Sequence, residues 1–218
     1  PPPLACRVGA TTVETDHDEN GPDAVRTRSA DARERTARLM TLDRHLPLVE
    51  QILGAFKDHI GNDFPGYRNH VYRVVHLCYA GGISGAEDKE KIHLAACFHD
   101  IGIWTDKTLD YLLPSARLAS EYLAGTGREA WIPEVSLMIE MHHRLRSCDG
   151  CGFPLVEVFR RADIADFSWG AIAMGHSADL LASLKVAFPN AGFHRRLLQL
   201  AAQRALRHPL NLLPMFRW

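Results

Sequence analysis

From residue 42 onward, apolar residues recur mostly at steps of three and four, and this spacing constrains the fold more than any other feature of the sequence. Such spacing places apolar side chains on one face of an α-helix, whereas a half-buried strand would alternate apolar and polar residues. No stretch alternates for long enough to predict a strand. Glycine and proline residues, which commonly end and begin helices, separate the segments. The sequence therefore predicts an all-α bundle of about seven to nine helices.

The bounds of these helices follow from the apolar spacing and from the breaks. The first helix is expected to end near Gly61 and the second at Gly81, while Pro114, Pro133 and Pro154 each open a later helix. The predicted helices cover about residues 46–60, 67–80, 86–98, 114–124, 133–141, 154–167, 176–187 and 192–207.

The first 30 residues differ in character from the rest. They are polar, rich in Pro, Gly, Asp and Thr, and show no sustained period, so we expect residues 1–30 to form a mobile tail. Residues 31–218 have an ordinary size for a single domain.

Composition excludes several classes of partner. Lys and Arg number 25 against 26 Asp and Glu, so the net charge of -1 gives no global attraction to polymeric nucleic acid or to an anionic membrane. No apolar stretch approaches the roughly 20 residues of a membrane helix, and no signal peptide is visible. Cys78 and Cys97 lie in apolar helical patterns and are expected to pack as small hydrophobes. We expect a soluble cytoplasmic protein. The sequence leaves open whether the chain forms a homodimer.

A histidine and an aspartate are adjacent at the end of an apolar helix, in the run Phe-His-Asp-Ile-Gly at 98–102. A buried carboxylate without a partner is disfavoured, and a cation offsets that cost directly. The alternative is that Asp100 caps the following turn and His99 lies on the surface. His70 and Asp163, however, also fall on the apolar sides of their helices. We therefore predict one divalent ion held by His70, His99, Asp100 and Asp163, and this donor set suits Mn, Fe, Co, Ni or Zn better than Mg.

These residues resemble the HD superfamily of metal-dependent phosphohydrolases. The resemblance rests on Gly-Tyr-Arg-Asn-His-Val-Tyr-Arg-Val at 66–74, on the 98–102 run and on Ala-Asp at 162–163. It spans an HD core of about residues 64–168, followed by C-terminal helices at 171–208. Tyr-Arg-Asn-His at 67–70 and Phe-Pro-Asn-Ala-Gly-Phe-His at 188–194 also look like a bacterial subgroup of HD-domain proteins, which implies a fold but no substrate.

A second motif begins at the histidine pair His142-His143. The stretch from this pair to Pro154 is similar to the His-His…Asp-Gly-x-Gly-Tyr-Pro signature of the HD-GYP cyclic-dinucleotide phosphodiesterases. It departs from that signature in a gap longer by two residues and in Phe153, which replaces Tyr. Two-metal HD proteins also carry another His between the two motifs, whereas residues 101–141 contain none and Ser115 falls near that place. Together with Asp100, the resemblance implies His142 and His143 as candidate catalytic residues, one of which contacts substrate or donates a proton. The alternative is that the two histidines are a surface or core pair.

Basic residues near these motifs are candidates for binding phosphate. A guanidinium can hold a phosphate through two hydrogen bonds, while a lysine acts as a point charge. Lys107 follows the His-Asp turn, and Arg144 and Arg146 follow the histidine pair, so these three are the predicted substrate-binding residues. Cys148 and Cys151 have Cys-x-x-Cys spacing, but a zinc ribbon would need a second such pair.

The expected function is divalent-metal-dependent hydrolysis of a small phosphate ester such as a nucleotide. One alternative is an HD-type di-iron oxygenase, which needs about six protein ligands. The other is a non-catalytic domain that keeps the metal for folding and senses a ligand.

Overall fold

A computed structural model describes residues 42–148 and 150–207, and within these ranges the chain is all-helical with no strand. Eight helices in these ranges have nine or more residues: α1 Pro47–Ala55, α2 Phe64–Ala80, α3 Ala86–Phe98, α4 Leu112–Gly125, α5 Ile132–Met141, α6 Pro154–Phe167, α7 Ala178–Ala187 and α8 Phe193–Arg207. Single α-helical turns at Lys57–Ile60 and Gly102–Thr105 and 3₁₀ turns at Gly61–Asp63 and Glu129–Trp131 connect them. This confirms the predicted all-α bundle of seven to nine helices.

The described residues belong to one compact unit that begins at Leu42. The expected tail at 1–30 and the expected start of the domain at residue 31 lie outside the described residues. None of the described helices combines the length and the apolar character that a membrane crossing requires.

Several helix bounds differ from the sequence prediction, including the start of α2 at Phe64 rather than at Tyr67, and two of the differences have local reasons. The first predicted helix breaks at Phe56, whose backbone N–H turns to the carbonyl of Leu53 in a tighter turn. The fourth helix begins at Leu112 rather than at Pro114, since the first four N–H groups of a helix lack an intrahelical partner and proline is tolerated there.

Helix α2 is the centre of the bundle. From Tyr67 to Cys78 nearly all of its side chains are buried, and it packs against α3, α6, α7 and α8. Cys78 on α2 and Cys97 on α3 are fully buried free thiols among apolar neighbours, as the sequence predicts.

The connection between α7 and α8 lies directly against α2 at Gly66. A Cβ at this glycine would lie 3.1 Å from both the Ala191 carbonyl oxygen and the Phe193 nitrogen, so a larger residue would require this backbone to shift. Asn69 donates a hydrogen bond to the Pro189 carbonyl at 2.7 Å. These contacts bring the 67–70 and 188–194 motifs together and place the first turn of α8 beside His70.

Candidate metal centre

The structure brings together the four side chains predicted as ligands. His70 projects from the middle of α2, His99 and Asp100 lie at the end of α3, and Asp163 lies on α6. All four are at most 3% exposed. His70 Nε2 lies 2.9 Å from His99 Nε2 and 3.4 Å from Asp163 Oδ1. Three separate helices therefore direct two imidazoles and two carboxylates at one point.

The spacing of these donor atoms matches that of ligands on a common ion. With metal–ligand bonds of about 2.1 Å, two donors lie about 3.0 Å apart at a right angle and about 3.4 Å apart at a tetrahedral angle. The Asp100 Oδ2 atom lies 3.4 Å from His99 Nε2 and 3.7 Å from His70 Nε2, and the His99–Asp163 distance is 3.5 Å. The set could hold a divalent ion with small adjustments.

Both members of the histidine pair at the end of α5 join the same cluster. His142 is fully buried and His143 is 5% exposed, so neither is a surface residue. His142 Nε2 lies 3.5 Å from Asp100 Oδ1, and His143 Nδ1 lies 3.7 Å from Asp163 Oδ2. The centre thus contains six side chains that could bind metal, in overlapping groups: His70, His99, Asp163; His99, Asp100, His142; and His142, His143, Asp163.

Each carboxylate presents one oxygen to each half of the cluster. Asp100 Oδ2 faces His70 and His99, whereas its Oδ1 faces His142. Asp163 Oδ1 likewise faces His70 and His99, whereas its Oδ2 faces His143. The two aspartates therefore lie between two pairs of histidines, His70 with His99 and His142 with His143.

Each of the four imidazoles has one nitrogen anchored outside the cluster, which fixes the direction of the other. The anchors are hydrogen bonds from His70 Nδ1 to Asp166 (2.6 Å), from His99 Nδ1 to the Ala96 carbonyl (2.8 Å), from His142 Nδ1 to the Ile139 carbonyl (2.5 Å), and between His143 Nε2 and the Tyr111 hydroxyl (2.6 Å). Metal-binding histidines commonly show this arrangement, because the second hydrogen bond sets the tautomer and the ring orientation.

Asp166 and Arg73 support His70 on the side of the ring that faces away from the cluster. The sequence did not indicate a role for either residue. Arg73 binds both oxygens of Asp166, at 2.5 and 2.9 Å, and donates to the Phe188 carbonyl at 2.8 Å. Both side chains are buried. The available signal was the position of Asp166 one helical turn beyond Asp163, on the same buried side of α6.

Tyr111 is the second contributor that the sequence did not reveal. It precedes α4, is only 2% exposed, and bonds to His143. Burial, followed by the charge of Asp100, raises the pKa of this phenol well above its usual value, so it keeps its proton at neutral pH. Ser115, which falls where a further histidine ligand was considered, instead accepts a hydrogen bond from the Gly102 backbone N–H at 3.0 Å.

Within the described part of the chain, three buried polar atoms of the cluster find no hydrogen-bond partner: Asp100 Oδ1, His142 Nε2 and Asp163 Oδ2. An unsatisfied buried polar group costs about 1–3 kcal/mol, and more when it is charged. All three atoms face the same half of the cluster, beside His143. A cation there would satisfy all of them, so the residues fit a metal ion in this half as well.

The imidazoles and carboxylates of the cluster shift one another's pKa values and so compensate the cost of burying several charges together. Burial alone would lower the pKa of His99, but Asp100 and Asp163 raise it to about 10. Burial would raise the pKa of Asp100, yet His99 and His142 hold it well below its usual value. Burial and then the neighbouring His142 lower the pKa of His143 to about 3. Without an ion, the protonated ring of His99 offsets part of the negative charge of the two carboxylates.

The three predicted substrate-binding residues are not brought to the cluster as one group. Lys107 lies in a separate groove beyond Trp104. Arg144 directly follows the histidine pair and is half-buried, with its NH1 group 4.0 Å from the Met141 sulfur. Arg146 is exposed in the next loop. Cys148 and Cys151 are free thiols, and Asp149 lies outside the described residues.

Comparisons of the chain with protein-family models, with curated proteins and with solved structures found no match. The resemblance to HD proteins therefore rests on the motifs quoted above, and the centre is interpreted from its own geometry.

Proposed function

We propose that this protein is a metal-dependent phosphohydrolase of the HD type that acts on a small phosphate ester. The observation that carries the proposal is the convergence of six buried imidazole and carboxylate side chains, with every imidazole anchored so that its second nitrogen faces the cluster. A structural ion would need four ligands and no access to a reacting group. Six donors exceed that requirement.

Each aspartate directs one oxygen to each pair of histidines, and this arrangement favours two ions rather than the single ion expected from the sequence. His70 and His99, with one oxygen of each aspartate, form the first donor set. His142 and His143, with the other oxygens, form the second. In this proposal the histidine pair binds metal rather than donating protons. The mixed nitrogen and oxygen donors suit Mn, Fe, Co, Ni or Zn better than Mg.

Bound divalent ions would supply a water of lowered pKa and would polarise the phosphoryl group. The protein's own groups supply positioning. Asp100 and Asp163 keep the donors of both halves aligned, and Asp166 fixes the ring of His70. Because His143 Nδ1 faces the cluster, the His143 Nε2–H group would donate its hydrogen bond to the Tyr111 oxygen. The hydroxyl hydrogen of Tyr111 is then available to Asp100.

Substrate recognition is assigned to the loop after the histidine pair. Arg144 and Arg146 are the cations nearest in sequence to this end of the cluster, and a guanidinium suits a phosphate dianion. A small ester is favoured over a polymer because the net charge of -1 gives no global attraction to a polyanion.

The test is a phosphatase screen of the full chain, loaded separately with Mn, Fe, Co, Ni and Zn, against nucleotides and other phosphomonoesters. Asp100→Asn should abolish turnover and reduce bound metal, whereas Asp110→Asn, an exposed aspartate outside the cluster, should change neither. Full turnover by Asp100→Asn would contradict the assignment.

A di-iron oxygenase is the second candidate, and the six donors favour it more than the sequence did, since such a centre needs about that number. Two irons per chain with oxygen uptake, and no phosphatase activity with any ion, would select it. Nucleotide binding without turnover under every metal would instead select a sensing domain.

A further inference from the structure

Two cysteines lie in the loop that joins α5 to α6, and the metal centre uses neither of them. Among the described cysteines, Cys148 and Cys151 are partly exposed, whereas Cys78 and Cys97 are fully buried. Both loop cysteines are free thiols. The loop therefore carries two accessible sulfur nucleophiles to which the proposed hydrolysis assigns no role.

The backbone between these cysteines forms a tight turn. The Cys151 N–H donates a hydrogen bond to the Cys148 carbonyl at 3.3 Å. Gly150, the third residue of the turn, has a φ of 85°, which glycine adopts without steric cost. The first and fourth Cα atoms of such a turn lie within about 7 Å of each other. Since a disulfide joins Cα atoms about 4.4–6.8 Å apart, the turn holds the cysteines at a separation that a disulfide can span.

The two side chains also influence each other. Burial, followed by hydrogen bonding to Cys151, raises the pKa of the Cys148 thiol to about 11, so Cys148 keeps its proton at neutral pH. The Cys151 thiol donates in turn to the Phe153 carbonyl at 3.6 Å. The sulfur atoms are therefore neighbours in the folded protein.

Helix α6 fixes the loop on which the turn is built. Glu157 accepts a hydrogen bond from the Cys148 backbone N–H at 3.2 Å. Arg160, only 2% exposed, binds the two oxygens of Glu157 at 2.6 and 2.7 Å and donates to the Arg144 carbonyl at 2.7 Å. One pair of side chains thus holds the loop at its start and at the first cysteine, so the turn is preorganised.

A small reagent has room to approach the turn. A cavity of about 350 Å³ opens there, and the described residues that line it include Cys148, Cys151 and Glu157. Its volume lies at the lower end of the range for small-molecule sites, about 300–1,000 Å³.

From this geometry we propose that Cys148 and Cys151 form a redox-active dithiol site, which a small disulfide such as glutathione disulfide converts into a disulfide within the loop. One cysteine loses its proton, and its sulfur attacks a sulfur of glutathione disulfide, which forms a mixed disulfide and releases one glutathione thiolate. The second cysteine loses its proton, attacks the same protein sulfur and releases the second glutathione thiolate. The two protons end on these thiolates, so the dithiol is oxidised and one glutathione disulfide is reduced to two thiols. The site is independent of whether the metal centre performs hydrolysis.

The experiment equilibrates the full, metal-free chain in mixtures of glutathione and glutathione disulfide. The chain is then quenched, unfolded and alkylated, and the thiols are mapped by mass spectrometry. Trypsin releases both loop cysteines in one peptide, residues 147–160. Under excess glutathione disulfide this peptide should lose two hydrogen atoms and both alkylation sites, while Cys78 and Cys97 stay reduced. Excess glutathione should restore both sites.

Cys148→Ser and Cys151→Ser are the matched variants, because each leaves one thiol of the pair in place. Each variant should stop at the mixed disulfide and carry one glutathione on this peptide, which the wild-type chain should not retain. Cys6→Ser removes the cysteine that lies outside the described residues and should behave as the wild type.

The fixed turn should favour the disulfide by raising the effective concentration of the second thiol. Half-oxidation of the folded chain should therefore need a ratio of glutathione disulfide to squared glutathione at least about tenfold lower than that of the chain unfolded in urea. Three results would overturn the proposal: both alkylation sites retained under excess glutathione disulfide, glutathione adducts on the wild-type peptide at equilibrium, or equal ratios for the folded and unfolded chains.

Discussion

The phenol oxygen of Tyr111 lies 2.6 Å from Nε2 of His143, so the side chain that precedes α4 sets the orientation of a histidine at the end of α5. His142, the adjacent residue, is anchored instead through its Nδ1 atom to the Ile139 carbonyl. The two neighbouring rings therefore turn different nitrogens toward Asp100 and Asp163, which lets consecutive residues face one centre.

Tyr111→Phe should lower both the activity and the affinity for metal at the donor set that contains His142 and His143, each by about 10- to 100-fold. The loss of a hydrogen bond that orients a metal-binding histidine has effects of this size. Phenylalanine keeps the ring, so the free energy of unfolding of the metal-free protein should change little. Metal titration and denaturant unfolding measure the two quantities. Phe167→Tyr, at an exposed ring beside His143, is a control that should affect neither strongly. Unchanged metal affinity in Tyr111→Phe would remove the positioning role.

Asp166→Asn should destabilise the protein by about 3–5 kcal/mol, because it leaves the buried charge of Arg73 without its partner. It should also weaken metal binding, because His70 loses the carboxylate that orients its ring. Urea unfolding of the metal-free protein isolates the first effect. Glu121→Gln, which breaks an exposed pair with Arg117, should alter stability by less than about 1 kcal/mol. Equal effects of the two variants would mean that the Arg73–Asp166 pair contributes no more than a surface pair.

Metal binding near neutral pH should release protons. The pKa of His99, about 10 in the metal-free protein, means that its ring is protonated at pH 7 and must lose a proton to bind metal. Its protonated form stabilises the metal-free fold fully below its unfolded-state pKa of about 6.5, and this contribution is lost as the pH rises through about 10. Metal affinity should therefore increase with pH over this interval.

Calorimetric titration in two buffers of different ionisation enthalpy measures the protons released. We expect at least about one proton per chain at pH 7. A binding enthalpy that does not depend on the buffer would show that the imidazoles are already neutral.

Gly66→Ala should destabilise the protein by about 1–3 kcal/mol, since the new Cβ would press on backbone atoms of Ala191 and Phe193 that cannot rotate away. Gly54→Ala is the matched control: this glycine also lies in a helix, but its Cβ would meet nothing within 4 Å, so the substitution should stabilise by up to about 1 kcal/mol. Thermal unfolding of both variants checks the sign. A stabilising Gly66→Ala would mean that the α7–α8 connection does not need this close contact.

Much of the architecture could be predicted because the helices are amphipathic and their ends carry glycine or proline. The α3 bounds follow directly from the run that ends at Phe98. His99 and Asp100 could be identified because adjacent polar residues at the end of an apolar helix are hard to explain by packing. Tyr111 could not, because a tyrosine in an apolar segment resembles any core aromatic until its hydroxyl partner is known.

Lys107 illustrates what local sequence leaves open. It lies only seven residues beyond Asp100, yet the helical turn Gly102–Thr105 carries the chain to the far side of Trp104. Periodicity gives the face of a helix but not the direction of the chain after it ends. For the same reason the pairing of Asp166 with Arg73, on helices α6 and α2, depends on packing that only the three-dimensional structure provides.

The most direct test of the central claim is a crystal structure of the full chain grown with Mn or Zn, with the ions located by anomalous scattering. We predict one peak within about 2.0–2.3 Å of the donor atoms of His70, His99, Asp100 and Asp163, and a second beside His142 and His143. An ordered cluster with no anomalous peak among these six residues, at metal concentrations that load other sites, would contradict the account.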